Sequence, residues 1–162
     1  GQVQALDAVT GDLLWKYIRP GTFIQLRSLA IYGDTIYFAA ESHMVARNAR
    51  TGAVVWETQL IPDGYAMHVT SGPLVVKGLL MQGAGYCMGN YPGGCYLVAL
   101  DAATGRQIWK TYVISEPEPI RLNSKGVQMW APAGGSIWTA PTIDPSVLIA
   151  YTWPMARSPA AP

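Results

Sequence analysis

Few residues in this sequence combine a reactive type with a setting that would let them act. Trp138 closes the run Gly134-Gly135-Ser136-Ile137-Trp138, where two glycines allow a ligand close to the backbone beside a large flat ring; a packing role is the competing reading. Thr70 and Ser71 precede Gly72-Pro73, so their hydroxyls either meet a ligand or cap a turn. Cys87 and Cys95 flank a stretch rich in Gly and Pro, a spacing that a disulfide can bridge in an oxidising compartment, with two free thiols as the alternative. His43 and His68 have no third ligand nearby in sequence, which argues against zinc. The alternating prolines of Glu116-Pro117-Glu118-Pro119 read as an extended surface loop and not as a paired acid and base. No nucleophile elbow, P-loop or dinucleotide fingerprint occurs.

Composition narrows what could hold these residues in place. Charged residues make up 13% of the 162, with Gly 17, Pro 12, Trp 6 and Tyr 9, a profile of many turns and aromatic-filled sheets. The net charge is +1 and the Lys and Arg residues are scattered singly, so neither nucleic acid nor an anionic membrane is expected as a partner. No apolar run is long enough to predict a membrane span. The opening Gly1-Gln2-Val3-Gln4 has neither an initiating Met nor a signal peptide, and reads as beginning mid-protein.

The strongest signal is internal repetition. Ala5-Leu-Asp-Ala-Val-Thr-Gly-Asp-Leu-Leu-Trp15, Ala46-Arg-Asn-Ala-Arg-Thr-Gly-Ala-Val-Val-Trp56 and Ala99-Leu-Asp-Ala-Ala-Thr-Gly-Arg-Gln-Ile-Trp109 align without gaps. In each, an outgoing strand ends at Asp or Asn, Thr-Gly supplies a turn with Gly at positive φ, and an apolar strand returns to Trp. Further pairs are predicted between the copies: Ser28–Tyr32 with Thr35–Ala39 across Gly33-Asp34, and Gly72–Val76 with Leu79–Gln82 across Lys77-Gly78. Four strands per repeat result. The Trp spacings of 41 and 53 residues suit four-stranded propeller blades, with the extra length of the second placed at Gly83–Gly94 as a loop. The three tryptophans themselves read as packing between neighbouring blades.

The A-x-D-x-x-T-G-x-x-x-W frame resembles the tryptophan docking motif of dehydrogenases that use pyrroloquinoline quinone (PQQ), and the likeness runs over residues 1–145. Arg27–Phe38, Thr70–Gly78 and the Cys87–Cys95 loop followed by a docking motif are similar to segments of bacterial quinoprotein alcohol dehydrogenases. Gly134–Pro145 is similar to the stretch that carries the tryptophan beneath the PQQ rings, in that family and in polyvinyl-alcohol-dehydrogenase-like relatives.

The resemblance implies an all-β fragment of a β-propeller, about three four-stranded blades over residues 1–145, followed by an atypical tail at 146–162 that is expected to be disordered or frameshifted. It implies PQQ as cofactor, with Ca²⁺ or a lanthanide in the full-length protein, and oxidation of an alcohol in the bacterial periplasm with electrons passed to an acceptor such as cytochrome c. Trp138 becomes the floor under the cofactor and Ser136 a hydrogen-bonding neighbour, while Thr70 and Ser71 meet it from the adjoining blade. No catalytic base is assigned within the chain, which alone is expected to be inactive.

The match also fails in places. Met88 follows Cys87 where relatives carry a metal-ligand Glu, and a thioether is a poor ligand for a hard cation. The metal-binding Asn expected after Pro145 is missing as well, so no metal ligand is assigned. These departures favour the alternative, a propeller without cofactor that serves as a binding or assembly scaffold, like the PQQ-like lipoprotein of outer-membrane assembly.

Overall fold

The computed structural model describes residues 2–19, 28–65, 67–87, 94–114, 116–132, 135–147 and 149–151; Arg27, Met88, Gly134 and the end of the tail, 152–162, lie outside them. The strands are β1 (Gln2–Leu6), β2 (Leu13–Ile18), β3 (Ala30–Tyr32), β4 (Thr35–Ala40), β5 (His43–Asn48), β6 (Val54–Gln59) and β7 (Leu74–Val76). They continue with β8 (Leu79–Gly83), β9 (Tyr96–Asp101), β10 (Gln107–Tyr112), β11 (Glu118–Leu122), β12 (Gln128–Ala131), β13 (Thr142–Asp144) and β14 (Ile149–Tyr151). All pairings are antiparallel, and no helix occurs among the described residues. β3-β4-β5-β6 and β7-β8-β9-β10 form two complete blades, and β1-β2, β11-β12 and β13-β14 are hairpins. The first residues after Pro145 thus continue into a strand, β14.

The repeated frame folds three times by one set of contacts. The Asp7 carboxylate accepts from the backbone N–H of Val9 and Thr10 at 2.8 and 3.0 Å. Asn48 Oδ1 accepts from Arg50 and Thr51 at 3.0 and 2.9 Å, and Asp101 from Ala103 and Thr104 at 3.1 and 2.9 Å. Gly11, Gly52 and Gly105 donate back to the carbonyls of Asp7, Asn48 and Asp101. They do so at φ of 80, 71 and 73°, in the left-handed region that glycine reaches without steric cost. Each hairpin then carries a register shift at the motif, between Ala5 and Leu6, Ala46 and Arg47, and Gln107 and Trp109.

The second and third of these turns receive the tryptophan of the preceding hairpin or blade. Trp15 Nε1 donates to the Ala49 carbonyl and Trp56 Nε1 to the Ala102 carbonyl, each at 2.9 Å. The rings cover the glycines: a Cβ on Gly52 would lie 2.7 Å from Trp15 Cγ, and one on Gly105 2.6 Å from Trp56 Cδ2. The Ala102 carbonyl also accepts from the buried Tyr37 hydroxyl at 3.0 Å, and Thr58 Oγ1 donates to the Gly105 carbonyl at 2.8 Å. Burial pushes the Tyr37 phenol above its ordinary pKa, so it serves only as a neutral donor.

Between these anchors the central strands are buried on both faces, and alternate side chains pack against different neighbours. On β4 and β5, Phe38, Ala40 and Val45 join Val3 and Tyr17 of the first hairpin, with the Tyr17 and Phe38 rings 5.0 Å apart. Tyr37, Ala39, Met44 and Ala46 face the other way, onto Leu80, Tyr96, Val98 and Leu100 of the next blade. On that blade Met81, Leu97 and Ala99 point outward again to Ile137, with Trp109, Ile143 and Ala150 packed beside them.

Two outcomes follow from this geometry. Gly105→Ala, which drives a methyl into the Trp56 ring, should lower stability in urea melts well beyond Gly11→Ala, whose methyl meets nothing within 4 Å and carries only the left-handed cost of roughly 1–2 kcal/mol. Equal losses would remove the packing role of the ring. The second concerns acid. The Thr10 amide, then that of Val9, holds the Asp7 carboxyl below its ordinary value of 3.8, and the Thr104 hydroxyl and amide do the same for Asp101. Because the folded pKa is depressed, their contribution is present above about pH 4 and is lost as pH falls through the folded value. Asp7→Asn with Asp101→Asn, copying Asn48, should flatten the loss of stability below about pH 4 in pH-dependent melts; an unchanged acid limb would refute the assignment.

Candidate functional site

Antiparallel blades send successive connections to opposite ends. The Thr-Gly turns and the tight turns β3–β4 and β7–β8 share one end, so the β4–β5, β6–β7, β8–β9 and β12–β13 connections share the other. Thr70 and Ser71 lie in β6–β7, Tyr86 and the cysteines in β8–β9, and Ser136 and Trp138 in β12–β13. The sequence scatters these residues; the end of β8 gathers them.

That strand end, Gln82-Gly83-Ala84-Gly85-Tyr86, is lined on one side by the β6–β7 connection. His68 and Gly85 exchange backbone hydrogen bonds at 3.0 and 2.9 Å. Ser71 Oγ donates to the Gly83 carbonyl at 3.2 Å, so its hydroxyl ties two segments together and does not cap a turn. The amide nitrogen of Gln82 donates to the Ser71 carbonyl at 3.0 Å, to Ser71 Oγ at 2.5 Å and to the Gly83 carbonyl at 2.9 Å. Ser136–Trp138 seats on the other side. Ile137 N–H donates to the Ala84 carbonyl at 3.0 Å, and its side chain sits where a Cβ on Gly83 would be, 2.4 Å from Cγ2.

Tyr86 joins the two sides. Its N–H donates to Ser136 Oγ at 3.1 Å, and its ring meets Trp138 at 4.8 Å and His68 edge-on at 5.4 Å. Its φ of 60° places a bulky residue in the left-handed region, an outlier of the kind concentrated at functional sites. A Cβ on Gly85 would stand 3.7 Å from Thr70 Oγ1 and 3.9 Å from Ser136 Cβ, which brings the two residues, from different connections, together at this glycine.

Two buried atoms in this cluster lack a partner in the protein: Thr70 Oγ1 and Gln82 Oε1. Thr70 is 3% exposed and Gln82 fully buried, so each forgoes a hydrogen bond that water would have given. Trp138 is half-buried. An orphan hydroxyl, a serine hydroxyl and a partly open indole suit a flat ligand with oxygen acceptors. Hydroxyls and an amide oxygen carry no charge to offset that of a divalent cation, and among the described residues no group of three or more His, Cys, Asp or Glu could hold a metal.

Cys87 and Cys95 are joined by a disulfide with Cα atoms 5.3 Å apart, which closes the base of the β8–β9 loop. Cys95 Sγ lies 3.8 Å from Ser136 Oγ. Beside the cluster a cleft of about 310 Å³ is lined by Glu41, Ser42, Asp63, Tyr65 and His68 over Ile61 and Met67. His43 stands outside the cluster, its Nδ1 facing Arg19 and Ser42. Burial first, and then the Arg19 charge, lower its pKa. Sequence reasoning missed Gln82 and Tyr86; the signals were a glutamine interrupting the apolar run Leu79-Leu80-Met81 and an aromatic directly after a glycine.

The docking turns and two-faced blades define a β-propeller repeat protein. The chain belongs to the PQQ repeat family: residues 1–150 match the family model PQQ_2, described as outer membrane protein assembly factor BamB. It is 38% identical over 168 residues to a polyvinylalcohol dehydrogenase of Pseudomonas sp. and 33% identical over 168 residues to one of Sphingopyxis sp., each alignment covering 93% of this chain and 26% of the relative. A quinohemoprotein alcohol dehydrogenase of Pseudomonas putida is 28% identical over 93% of the chain and 24% of its own length. Among solved structures, a quinohemoprotein alcohol dehydrogenase of Pseudomonas putida HK5 superposes with a TM-score of 0.75 at 24% identity, covering 94% of this chain and 25% of that one. A europium-containing methanol dehydrogenase does so with a TM-score of 0.69 at 22% identity, covering 90% of this chain and 30% of that one. These superpositions show the fold. The chain spans about a quarter of the length of the curated relatives it matches.

The disulfide gives the site a direct check. Because the bond closes a loop with a sequence separation of 8, Cys87→Ala with Cys95→Ala should lower stability by roughly 2.5 kcal/mol in urea melts. A thiol assay on the unfolded, unreduced protein should find no free thiol. Detection of two would show that the bridge does not form.

Proposed function

We propose that the chain contributes part of the cofactor pocket of a PQQ-dependent dehydrogenase acting on alcohols. The observation that carries this is the convergence, at the end of β8, of the unpartnered Thr70 hydroxyl from one blade with Ser136 and Trp138 from the next. PQQ, when bound, supplies the two-electron acceptor for oxidation of the alcohol carbon. The chain's own residues bind and orient. Thr70 donates to an acidic oxygen of the ligand, Ser136 holds the Tyr86 N–H and with it the aromatic wall, and Trp138 offers its ring as a flat surface. Buried hydroxyls fixed before the ligand arrives cost little reorganisation when it binds.

A hydroxyl-rich polymeric alcohol is the substrate class we favour, since the two polyvinylalcohol dehydrogenases align across nearly the whole chain. The cleft lined by Glu41, Asp63, Tyr65 and His68 over an apolar floor suits such a chain, with acceptors for its hydroxyls and hydrophobic contact for its methylenes. No general base is assigned among these residues, and the chain alone is expected to bind cofactor without oxidising alcohol. The disulfide agrees with a periplasmic location, where a carrier such as cytochrome c would take the electrons. Among the described residues no group of three or more His, Cys, Asp or Glu marks a place for calcium or a lanthanide, and no metal ligand is assigned.

A second reading has its own support. The family model is described by an assembly factor, and a scaffold propeller without cofactor would match it equally. Titrating the chain with PQQ, with and without Ca²⁺, separates the two. Quenching of tryptophan fluorescence that is saturable in the wild type and at least tenfold weaker in Trp138→Ala supports the pocket. No saturable quenching at high PQQ would leave the scaffold.

A further inference from the structure

Gln82 occupies the position with the most contacts to fix and the least obvious reason to be polar. It is fully buried in β8, where Leu80 and Met81 precede it, and its two amide N–H groups are shared among three acceptors. All three acceptors are oxygens, which settles the orientation of the amide: a flipped side chain would set its carbonyl against two carbonyls. Oε1 is thereby left without a partner, as is Thr70 Oγ1 on the connection that the amide holds. A methionine would fill the same space and remove the orphan Oε1, but it would take the donor from the buried Ser71 carbonyl. The fold carries a glutamine here.

We propose that Gln82 is the positioning residue of the cofactor pocket: its amide clamps Ser71 to Gly83 and so presents the Thr70 hydroxyl to the ligand. This inference rests on the PQQ reading above. The two walls of the pocket are held by different bonds. Ser136–Trp138 hangs on the Ala84 carbonyl and the Tyr86 N–H, neither of which involves Gln82. Thr70 is the residue next to Ser71, whose carbonyl and hydroxyl both end on the Gln82 amide. Losing the amide therefore leaves the Thr70 wall on the Ser71 hydroxyl and the His68–Gly85 pair alone, loosening it while sparing the Trp138 wall, so that the loss of Gln82 acts through Thr70.

The test is a double-mutant cycle on PQQ affinity, read by tryptophan quenching at fixed Ca²⁺ in wild type, Gln82→Met, Thr70→Val and the double variant, with thermal melts on each. Gln82→Met should weaken binding about tenfold while the quenching at saturation keeps its wild-type amplitude, because Trp138 has not moved. The double variant should bind within about twofold of the weaker single variant, as residues acting through one contact do. Gln82→Asn, which keeps the amide but withdraws it by one methylene, should weaken binding like Gln82→Met and carries the test if the methionine variant does not fold. Wild-type affinity in the folded Gln82 variants, or losses that multiply in the double variant, would overturn the positioning role alone. Wild-type protein that fails to bind PQQ would overturn the pocket reading and this one together.

Discussion

Everything in this molecule hangs on an indole N–H reaching into the next blade. A four-stranded antiparallel sheet with both faces apolar cannot stand in water, so each blade must be held against a neighbour at a fixed distance and tilt. The Trp15 and Trp56 bonds set that distance with direction as well as contact, because the donor must find one carbonyl and the ring must lie flat on one glycine. Hydrophobic packing alone is non-directional and would permit the blades to slide. Arg19 and Arg47 add a rim to the first interface: both approach Glu57, at 3.6 and 3.8 Å, and the Arg47 guanidinium lies 4.5 Å above the Tyr17 ring.

Fixing one end of the blades leaves the other free to specialise. The docking turns demand Asp or Asn, Thr and Gly in order, whereas the opposite connections answer to no such frame and differ from blade to blade. The candidate site residues gather there, as binding residues do on loops carried by a rigid scaffold. Two buried orphans, Thr70 Oγ1 and Gln82 Oε1, are also found at that end.

The sequence displayed the scaffold more openly than the site. Three aligned copies of one frame were enough for the hairpins, the four-strand unit and the role of Trp15 and Trp56, because each motif residue acts on neighbours only a few positions away. Gly33-Asp34 and Lys77-Gly78 marked their turns equally well, and β3–β4 and β7–β8 formed where these signals put them. The site depends on long-range meetings. Resemblance nominated Thr70, Ser71, Ser136 and Trp138, yet nothing local says that a glutamine at 82 must hold Ser71, or that Tyr86 twists to meet both Ser136 and Trp138. Those contacts arise only when two connections of different blades come to rest on one strand end.

The Cys87–Cys95 bond separates two kinds of change. A long loop normally transmits its length to the strands that carry it, because adding residues shifts where the chain re-enters the sheet. Here the bond pins the two ends to each other, directly after Tyr86 on one side and directly before Tyr96 of β9 on the other. The span between the cysteines is thereby insulated: its composition can drift, lengthen or be exchanged for another without altering the geometry of the residues at its base. A propeller built this way can acquire a new neighbour or a new preference at its rim while its interior stays as it was.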